Sequence, residues 1–383
     1  MIVITDKSRC CGCTACVTSC PVQCIVMRRD KEGFDYPVAN PDMCIGCGKC
    51  DSVCPVLNKV EEKAPLEVYA AIAEEYRDGS SSGGVFPLLA AEVITSGGIV
   101  FGASLGPDMC VGHLGVESLA ELESLRGSKY VQSDLYSVFE EVKEALAEGR
   151  KVLFSGTPCQ ISGLNRYLGK RYENLLTVDV ACHGVPSPGL WGRYVKALES
   201  RYSAEVTDVK FKDKSKSWKN YQFGIKSGDR YIAVPYMKDP YMALYLQDLT
   251  LRPSCYNCPS KGGKSGSDIT LADFWGVSAM APEMNDDKGV SLVIVNTDKG
   301  KEVFDNVSLT KKRLGVEATE LKNGGFTSII DIPERRGEFF AGVESAKDLI
   351  SYMSAYVTVK SPFKIVYENI HSFMAKIKRR IMK

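Results

Sequence analysis

Apolar and polar positions follow two alternating patterns from residue 67 onward. Short apolar runs predict strands over 68–73, 99–102, 151–155, 175–182, 206–211, 269–272 and 291–296. Between them, apolar residues at helical spacing predict helices over 85–95, 135–147, 160–168, 190–199 and 240–249. Because both patterns are mixed along the chain, we expect an α/β or α+β fold, of which we adopt α+β, with one large domain over 65–335 and a separate helical tail over 341–383.

The first 60 residues lack this pattern and carry two runs of cysteines instead. Both runs read C-x2-C-x2-C-x3-C-P, which is typical of a bacterial-type ferredoxin with two [4Fe–4S] clusters. A tight loop supplies three thiolates and the other run supplies the fourth, so two mixed ligand sets are expected. They are Cys10, Cys13, Cys16 and Cys54 for one cluster, and Cys44, Cys47, Cys50 and Cys20 for the other. Zinc sites and disulfides are the alternatives, and the crowding of the cysteines argues against both.

Composition narrows the class of protein. The 383 residues are 44% hydrophobic and carry 48 basic against 47 acidic side chains, so the charge gives no sign of a nucleic-acid partner. Fifteen cysteines without a secretory signal indicate a reducing compartment. Since no apolar run reaches the length of a membrane-spanning helix, and clusters of this kind are oxygen-sensitive, a cytoplasmic protein is expected.

Four further cysteines stand at predicted strand ends and loops of the large domain. They are Cys159 in SGTPCQ, Cys182 in VACHG, and Cys255 and Cys258 in CYNCP. Their spacing allows another [4Fe–4S] cluster, a structural zinc site, or a redox pair with two buried thiols. The remaining cysteines, Cys11, Cys24 and Cys110, are predicted to be small filling residues.

Two glycine-rich segments, GSSSGGVF at 79–86 and GSKY at 127–130, offer amides and hydroxyls. Such groups bind phosphate at a helix N-terminus, but each segment is equally compatible with a plain loop. The dinucleotide fingerprint G-x-G-x-x-G after a strand is absent from the sequence, and KGGKSGS at 261–267 fails the phosphate-loop pattern.

These segments together carry a family resemblance. SSSGGVFPLL, GSKYVQS, SGTPCQISGL, VACHGVPSP, RPSCYNCP and ITLADFWG occur in an order that resembles the beta-subunit family of coenzyme F420 hydrogenases and dehydrogenases. The resemblance covers roughly residues 65–300, with the ferredoxin module fused in front. The fused arrangement is also similar to 7-hydroxymethyl chlorophyll a reductase.

The resemblance implies a mixed α/β domain that binds FAD without a Rossmann fingerprint and holds a [4Fe–4S] cluster beside the flavin. The positions that match the ligands of this third cluster are Cys159, Cys182, Cys255 and Cys258. The positions that match FAD contacts are Ser81, Ser82, Gly83, Gly84, Gly127, Ser128 and Lys129. Asp273 is expected close to the site, with a strand-end cap as its plain alternative.

The expected function is therefore that of an iron–sulfur flavoprotein oxidoreductase. A hydride is exchanged at FAD for single electrons, which the clusters pass to or from a ferredoxin-like partner. Coenzyme F420 or another small molecule would be the hydride carrier. Two alternatives stay open: an electron-transfer subunit without its own substrate site, and an F420-independent reductase of a surface-polysaccharide pathway. A structural large domain that holds zinc in the second cysteine set is a third interpretation.

Three other features bear on this chemistry. His183 is a candidate proton donor beside the flavin, although a turn histidine bonded to backbone is the more ordinary interpretation. The lysine-rich stretch 212–219 with Trp218 could attract an acidic carrier, or could be a charged surface loop. The basic segment 361–383 is compatible with an amphipathic helix on a membrane surface, but packing on its own protein is favoured.

Overall fold

The computed structural model describes residues 1–319, 324–327 and 329–358. Its strands are β1 (Ile25–Arg29), β2 (Asp35–Ala39), β3 (Glu67–Ile72), β4 (Ile99–Leu105), β5 (Val111–Val116), β6 (Val152–Gly156), β7 (Leu175–Val180), β8 (Val206–Asp213), β9 (Gln222–Ser227), β10 (Arg230–Pro235), β11 (Ile269–Asp273), β12 (Ser291–Val295) and β13 (Thr310–Leu314). Its α-helices are α1 (Ala15–Thr18), α2 (Lys49–Ser52), α3 (Glu74–Arg77), α4 (Val85–Thr95), α5 (Leu119–Leu122), α6 (Val138–Ala147), α7 (Pro158–Leu168), α8 (Pro188–Tyr202), α9 (Pro240–Leu246), α10 (Val277–Met280), α11 (Asp298–Asn306), α12 (Gly324–Thr327), α13 (Arg336–Val343) and α14 (Leu349–Tyr356).

A mixed eight-stranded sheet forms the centre of the large domain, in the order β13-β3-β12-β11-β7-β6-β4-β5. The four strands β11, β7, β6 and β4 run parallel to one another, and the outer pairs are antiparallel. The inner strands are almost continuously apolar and buried, as expected when both faces of a sheet are covered by other elements. The carboxyl ends of the four parallel strands therefore meet at one edge, where cofactor and ligand sites of such sheets usually lie.

The turns that leave this edge are fixed by local chemistry. After β6, Thr157 and Gln160 form a reciprocal capping box, and Pro158 stands in the first turn of α7. This start places Cys159 at the helix N-terminus, directly beyond the strand end. After β7, the chain passes Cys182 and His183 in a loop and enters α8 at Pro188, with Ser187 as its capping residue.

A second, three-stranded antiparallel sheet has the order β10-β9-β8 and lies with α8, α9 and the last helices. Its core is rich in aromatic rings, among them Trp191, which contacts Phe211 and Tyr241 at ring-centroid distances of 4.8 and 5.0 Å. Helix α14 packs on α8 and α9 and adds Ile350 to this core. The described part of the predicted tail is thus packed on the large domain and is not separate from it, since its apolar face is buried there. Residues 359–383, including the segment considered for membrane contact, lie outside the described residues.

The N-terminal module consists of the β1–β2 hairpin, two short helices and the two cysteine loops. Its own apolar core is small and consists largely of cysteines with Ile2 and Ile25. The module packs against the large domain through a close backbone contact. At this contact a Cβ on Gly33 would lie 2.6 Å from the Cα of Gly189. A partly buried ion pair from Arg336 Nη2 to Glu32 Oε2, 2.6 Å long, stabilises the same contact.

The α+β prediction is confirmed, and the predicted strands and helices agree with the observed ones to within a few residues. The short strands of the hairpin, the strand β5 and the strands β9, β10 and β13 were not predicted, because their apolar alternation is weak and several face solvent. In the described part of the chain, no helix is long and apolar enough to cross a membrane.

Candidate functional site

A cavity of about 500 Å³ lies at the carboxyl edge of the central sheet. Its size is within the range of cofactor pockets. Two segments that are distant in sequence meet on one wall, because Ser128 donates from its backbone N–H and from its hydroxyl to Ser81 Oγ, at 2.7 and 2.8 Å. The predicted FAD-contact residues that line the cavity are Ser81, Ser82, Gly84, Gly127, Ser128 and Lys129.

The serine–glycine segment is held from behind by the sheet. The Ser82 hydroxyl donates to Val290 O at 2.8 Å, and the Gly83 N–H donates to Ser291 Oγ at 3.0 Å. A Cβ on Gly83 would lie 2.4 Å from Ala71 O, so only glycine fits there. Gly83 does not line the cavity, in contrast to its neighbour Gly84, so it supports the wall from the sheet side.

Lys129 is the one basic residue among the predicted FAD contacts, and it lies in the cavity wall. Its Nζ donates to Ser124 O at 2.9 Å and to Arg126 O at 2.8 Å. Burial lowers the pKa of Lys129 to about 7. An anionic group beside it would favour the charged form, so this amine is suited to contact a phosphate or another acidic group.

Two polar atoms on the wall lack both a hydrogen-bond and an ion-pair partner among the described residues. They are Nδ1 of His113 and Nε of Arg126. The His113 Nε2 lies 2.9 Å from Ser155 O, so Nε2 must donate and Nδ1 is left as an acceptor. Buried polar atoms are normally paired, and a bound molecule would pair both. Sequence analysis missed both residues, because neither stands in a glycine-rich segment.

The four cysteines of the large domain come together at one end of this cavity. Cys182 lines the cavity, and Cys159, Cys255 and Cys258 all act electrostatically on its thiol. Burial raises the pKa of Cys182 well above its usual value and that of Cys255 to about 12. The Val185 N–H points at Cys255 Sγ from 3.5 Å, and Thr157 Oγ1 lies 3.2 Å from Cys159 Sγ. Such donors to sulfur are typical of iron–sulfur sites.

The fit to a cluster rests on this donor set. No three metal-binding side chains of the described residues stand close enough to hold a single ion. A cube of iron and sulfide is instead held by four thiolates at its corners, and thiols buried without a carboxylate among them suit it. The residues that would hold it are Cys159, Cys182, Cys255 and Cys258.

His183 lies on the cavity wall between the cysteine set and a carboxylate that the sequence did not reveal. Its Nε2 is 2.6 Å from Asp248 Oδ1, and its ring meets Tyr245 edge-on at 5.3 Å. Asp248 has a left-handed backbone with φ +64. The imidazole therefore lies between a carboxylate and an aromatic ring, although Nε2 and Oδ1 do not have hydrogen-bond geometry.

Asp273 also lies on the wall, but it is already engaged. Its Oδ2 accepts from Lys212 Nζ at 2.5 Å and its Oδ1 accepts from Trp218 Nε1 at 3.0 Å. The Lys212 ammonium lies 4.8 Å from the ring centroid of Trp275, which stacks on Trp218. Asp273 is thus half of a buried ion pair, which differs from both a free catalytic acid and a strand-end cap. Of the predicted lysine-rich surface loop, Lys212 and Trp218 are buried.

The eight cysteines of the two N-terminal runs form two cages, and each cage takes one residue from the other run. Cys10, Cys13, Cys16 and Cys54 surround one small cavity. Cys20, Cys44, Cys47 and Cys50 surround another, and Cys24 stands beside them with its Sγ 3.5 Å from Cys20 Sγ. We call these the inner module cage and the outer module cage. Cys47 is exposed to solvent.

The cysteines outside the ligand sets have unequal surroundings. Cys11 is buried between Cys13 and Cys159, and hydrogen bonding with Cys13, together with burial, raises its pKa well above the usual value. Cys11 therefore stands where the inner module cage meets the cysteine set of the large domain. Cys110 is exposed, so the prediction of a small filling residue is wrong for that position.

Two parts of the chain match known protein families. Residues 149–321 match the family that describes the C terminus of the coenzyme F420 hydrogenase/dehydrogenase beta subunit, and residues 9–58 match the 4Fe-4S dicluster domain. Among solved structures, a chain of the xenon-derivatised F420-reducing [NiFe] hydrogenase complex from Methanosarcina barkeri is 17% identical, with a TM-score of 0.45. That match covers 75% of this chain and 95% of the other. No curated protein matches this sequence.

Proposed function

Since the chain belongs to the beta-subunit family of coenzyme F420 hydrogenases and dehydrogenases and carries a 4Fe-4S dicluster domain in front, we propose that it converts between hydride and single-electron transfer. FAD in the 500 Å³ cavity would exchange a hydride with a small carrier and single electrons with a cluster. Coenzyme F420 or another hydride carrier is the substrate, and a one-electron carrier protein is the partner.

One observation carries this proposal: the cavity and the cysteine sites form a continuous series. Cys182 lines the cavity, Cys159 belongs to the same cysteine set, and Cys11 stands between Cys159 and Cys13 of the inner module cage. The outer module cage follows and reaches the surface at Cys47. A series of this kind suits electron transfer between a buried organic cofactor and an external partner.

The wall residues have separate tasks in this scheme. The Ser81 hydroxyl accepts both donors of Ser128 and keeps its own proton for the cofactor, and Lys129 offers a cation to the acidic part of the cofactor. The unpaired Nδ1 of His113 would accept a hydrogen bond from a donor group of the bound molecule. Burial lowers the pKa of His113 to about 4, so the ring is neutral and can act as this acceptor. The charge of Asp273 on the wall is compensated by its ion pair with Lys212.

His183 is the proton-handling candidate of the site. It lies on the wall, one residue from Cys182, and its Nε2 faces Asp248. The carboxylate and the Tyr245 ring limit where the imidazole can lie. His183 is therefore the residue that we assign to holding a proton near the reacting atoms, with Asp248 as its positioning partner.

The test is the content of iron, acid-labile sulfide, zinc and flavin in protein purified without oxygen. We expect about twelve irons and one FAD per chain, from three cubes and one flavin. About eight irons without flavin would contradict the converter and favour an electron-transfer subunit without a substrate site. Zinc in place of the missing iron would favour the structural interpretation.

Matched variants place the third cluster. Cys182→Ser should lower the iron content by about four per chain, because one thiolate of a cube is lost. Cys110→Ser is the control, since Cys110 is exposed and belongs to none of the three cysteine sets. Equal iron in the two variants would argue against a cluster at Cys182. Reduction of the flavin by F420H₂, compared with NADH and NADPH, then identifies the class of hydride carrier.

A further inference from the structure

Arg252 is the most deeply buried charged side chain at the contact between the two cysteine-rich regions, with 1% of its surface exposed. It stands three residues before Cys255, whose N–H donates to Arg252 O at 2.9 Å. Its guanidinium reaches the N-terminal module and stacks on Tyr36, at 4.3 Å from the ring centroid. A Cβ on Gly12 would lie 2.9 Å from the guanidinium carbon, so the backbone of the first cysteine loop packs directly against the guanidinium of Arg252.

The oxygen atoms that accept hydrogen bonds from this guanidinium are all uncharged. Nε donates to Cys10 O at 2.8 Å, Nη1 to Gln132 Oε1 at 2.9 Å, and Nη2 to Asp35 O at 2.9 Å. Over the described ranges, no carboxylate forms an ion pair with Arg252. Burial of an uncompensated guanidinium is costly, and arginine does not escape that cost by deprotonation.

Two other arginines of the described residues are nearly as buried, and both have a carboxylate. Arg77, 2% exposed, pairs with Asp286, and Arg336, 8% exposed, pairs with Glu32. The fold thus compensates its buried arginines where carboxylates are in reach. The missing negative charge at Arg252 has to come from another source.

The negative groups that face Arg252 are cysteine sulfurs. Nη2 lies 3.7 Å from Cys10 Sγ, which belongs to the inner module cage. The same charge acts on Cys159 and Cys255 of the large-domain set. Cysteines that hold a [4Fe–4S] cube are thiolates, so each cage is an anion, and both anions border one guanidinium.

We propose that Arg252 is the shared counter-charge of the inner module cage and the large-domain cysteine set, and that it raises the reduction potentials of both clusters. A cluster gains negative charge on reduction, so a fixed positive charge beside it favours the reduced state. The large-domain part rests on the proposed function, whereas the part at Cys10 requires only the dicluster module.

The experiment is a redox titration of the intact protein followed by electron paramagnetic resonance, with iron content as a check. Arg252→Gln should lower the midpoint potential of at least one cluster by about 59 mV or more, which is a tenfold change for a one-electron couple. Arg252→Lys keeps the charge and should stay closer to wild type. Arg336→Gln is the matched control, because Arg336 fastens the same module but has no cysteine among its electrostatic partners.

A second variant covers the case in which Arg252→Gln fails to assemble. Gln132→Glu leaves the guanidinium in place and gives it a carboxylate as acceptor, so its charge is compensated and the potentials should fall in the same direction. Unchanged potentials in a fully loaded Arg252→Gln or Gln132→Glu protein would overturn the inference. A wild-type protein with only two clusters would instead overturn the third-cluster assignment, and the effect at Cys10 would still be measured.

Discussion

His113 is a histidine that cannot take up a proton without loss of stability. Its ring is 4% exposed, its Nε2 is bonded to Ser155 O, and it stacks on Phe154 at 5.4 Å. Burial lowers its pKa to about 4 from an ordinary value of 6.5. Below pH 6.5 this histidine binds a proton in the unfolded chain but stays neutral in the folded chain. The contribution of the neutral ring to folding stability is therefore present above pH 6.5 and is lost as the pH falls toward 4.

We therefore predict a pH-dependent difference between wild type and His113→Gln. Between about pH 6.5 and 5.5 the wild type should lose about 1 kcal/mol of unfolding free energy that the variant does not lose. Anaerobic urea unfolding at the two pH values measures this difference. Parallel pH dependence in both proteins would contradict the assignment of a neutral buried ring.

The pair of Lys212 and Asp273 predicts a large effect of a single substitution. The side chain of Lys212 is 1% exposed and that of Asp273 19% exposed, so removal of the ammonium leaves a mostly buried carboxylate alone. Lys212→Met should cost about 3 kcal/mol in unfolding free energy, at the lower end for buried pairs because Asp273 keeps some contact with solvent. Lys312→Met, which breaks the exposed pair with Glu283, is the control and should change the melting temperature little.

At the scale of single residues, the cysteine ligands could be predicted from the sequence. The residues that bond to the cavity-wall side chains could not. Ligand spacing is local, so a run of cysteines reveals a cage without knowledge of the fold. The partners of His113, His183 and Lys212 are Ser155, Asp248 and Asp273, which become neighbours only when the sheet forms. No sequence periodicity carries that information.

At the scale of elements, helix α8 shows how a missing side chain determines a contact. Gly189 lies in its first turn against Gly33 of the module, while a Cβ on Gly192, one turn further on, would meet no atom within 4 Å. Alanine usually stabilises a helix relative to glycine by about 0.5–1 kcal/mol. The two glycines of the same helix should therefore respond to alanine with opposite sign.

We predict that Gly189→Ala destabilises the protein by about 1–3 kcal/mol, because the new methyl group would overlap with backbone. Gly192→Ala should be neutral or slightly stabilising. Thermal unfolding gives the sign, and limited proteolysis of the N-terminal module reports whether its docking is loosened. If both variants are equally stable, the backbone contact has room to adjust.

Elements with a strong apolar period were predictable, and elements that depend on partners were not. The helix α4 was predicted with its observed bounds, since seven of its residues are buried. The strand β10 has no buried residue in its pattern and exists through its pairing with β9. The packing of α14 on α8 was also unpredictable, because an amphipathic helix does not specify the surface that covers it.

At the scale of the whole molecule, each cysteine run contributes one ligand to the cage of the other run. This arrangement predicts which variants share an electron paramagnetic resonance signal. Cys54 lines the inner module cage and Cys20 the outer one. Cys54→Ser should therefore alter the same paramagnetic signal of the reduced protein as Cys10→Ser, and Cys20→Ser the same signal as Cys47→Ser. A match of Cys20→Ser with Cys10→Ser would mean that each run holds its own cluster.

The position of the inner module cage against the large domain also has a consequence for the assembly of its cluster. A Cβ on Gly163 of α7 would lie 2.9 Å from Cys13 Sγ, and Arg252 bonds to Cys10 O, so the large domain covers this cage at Cys13 and at Cys10. Cys47 of the outer cage faces water. We expect the maturation machinery to load the covered cage before the module settles on the large domain, and oxidative damage to be repairable in place only at the outer one.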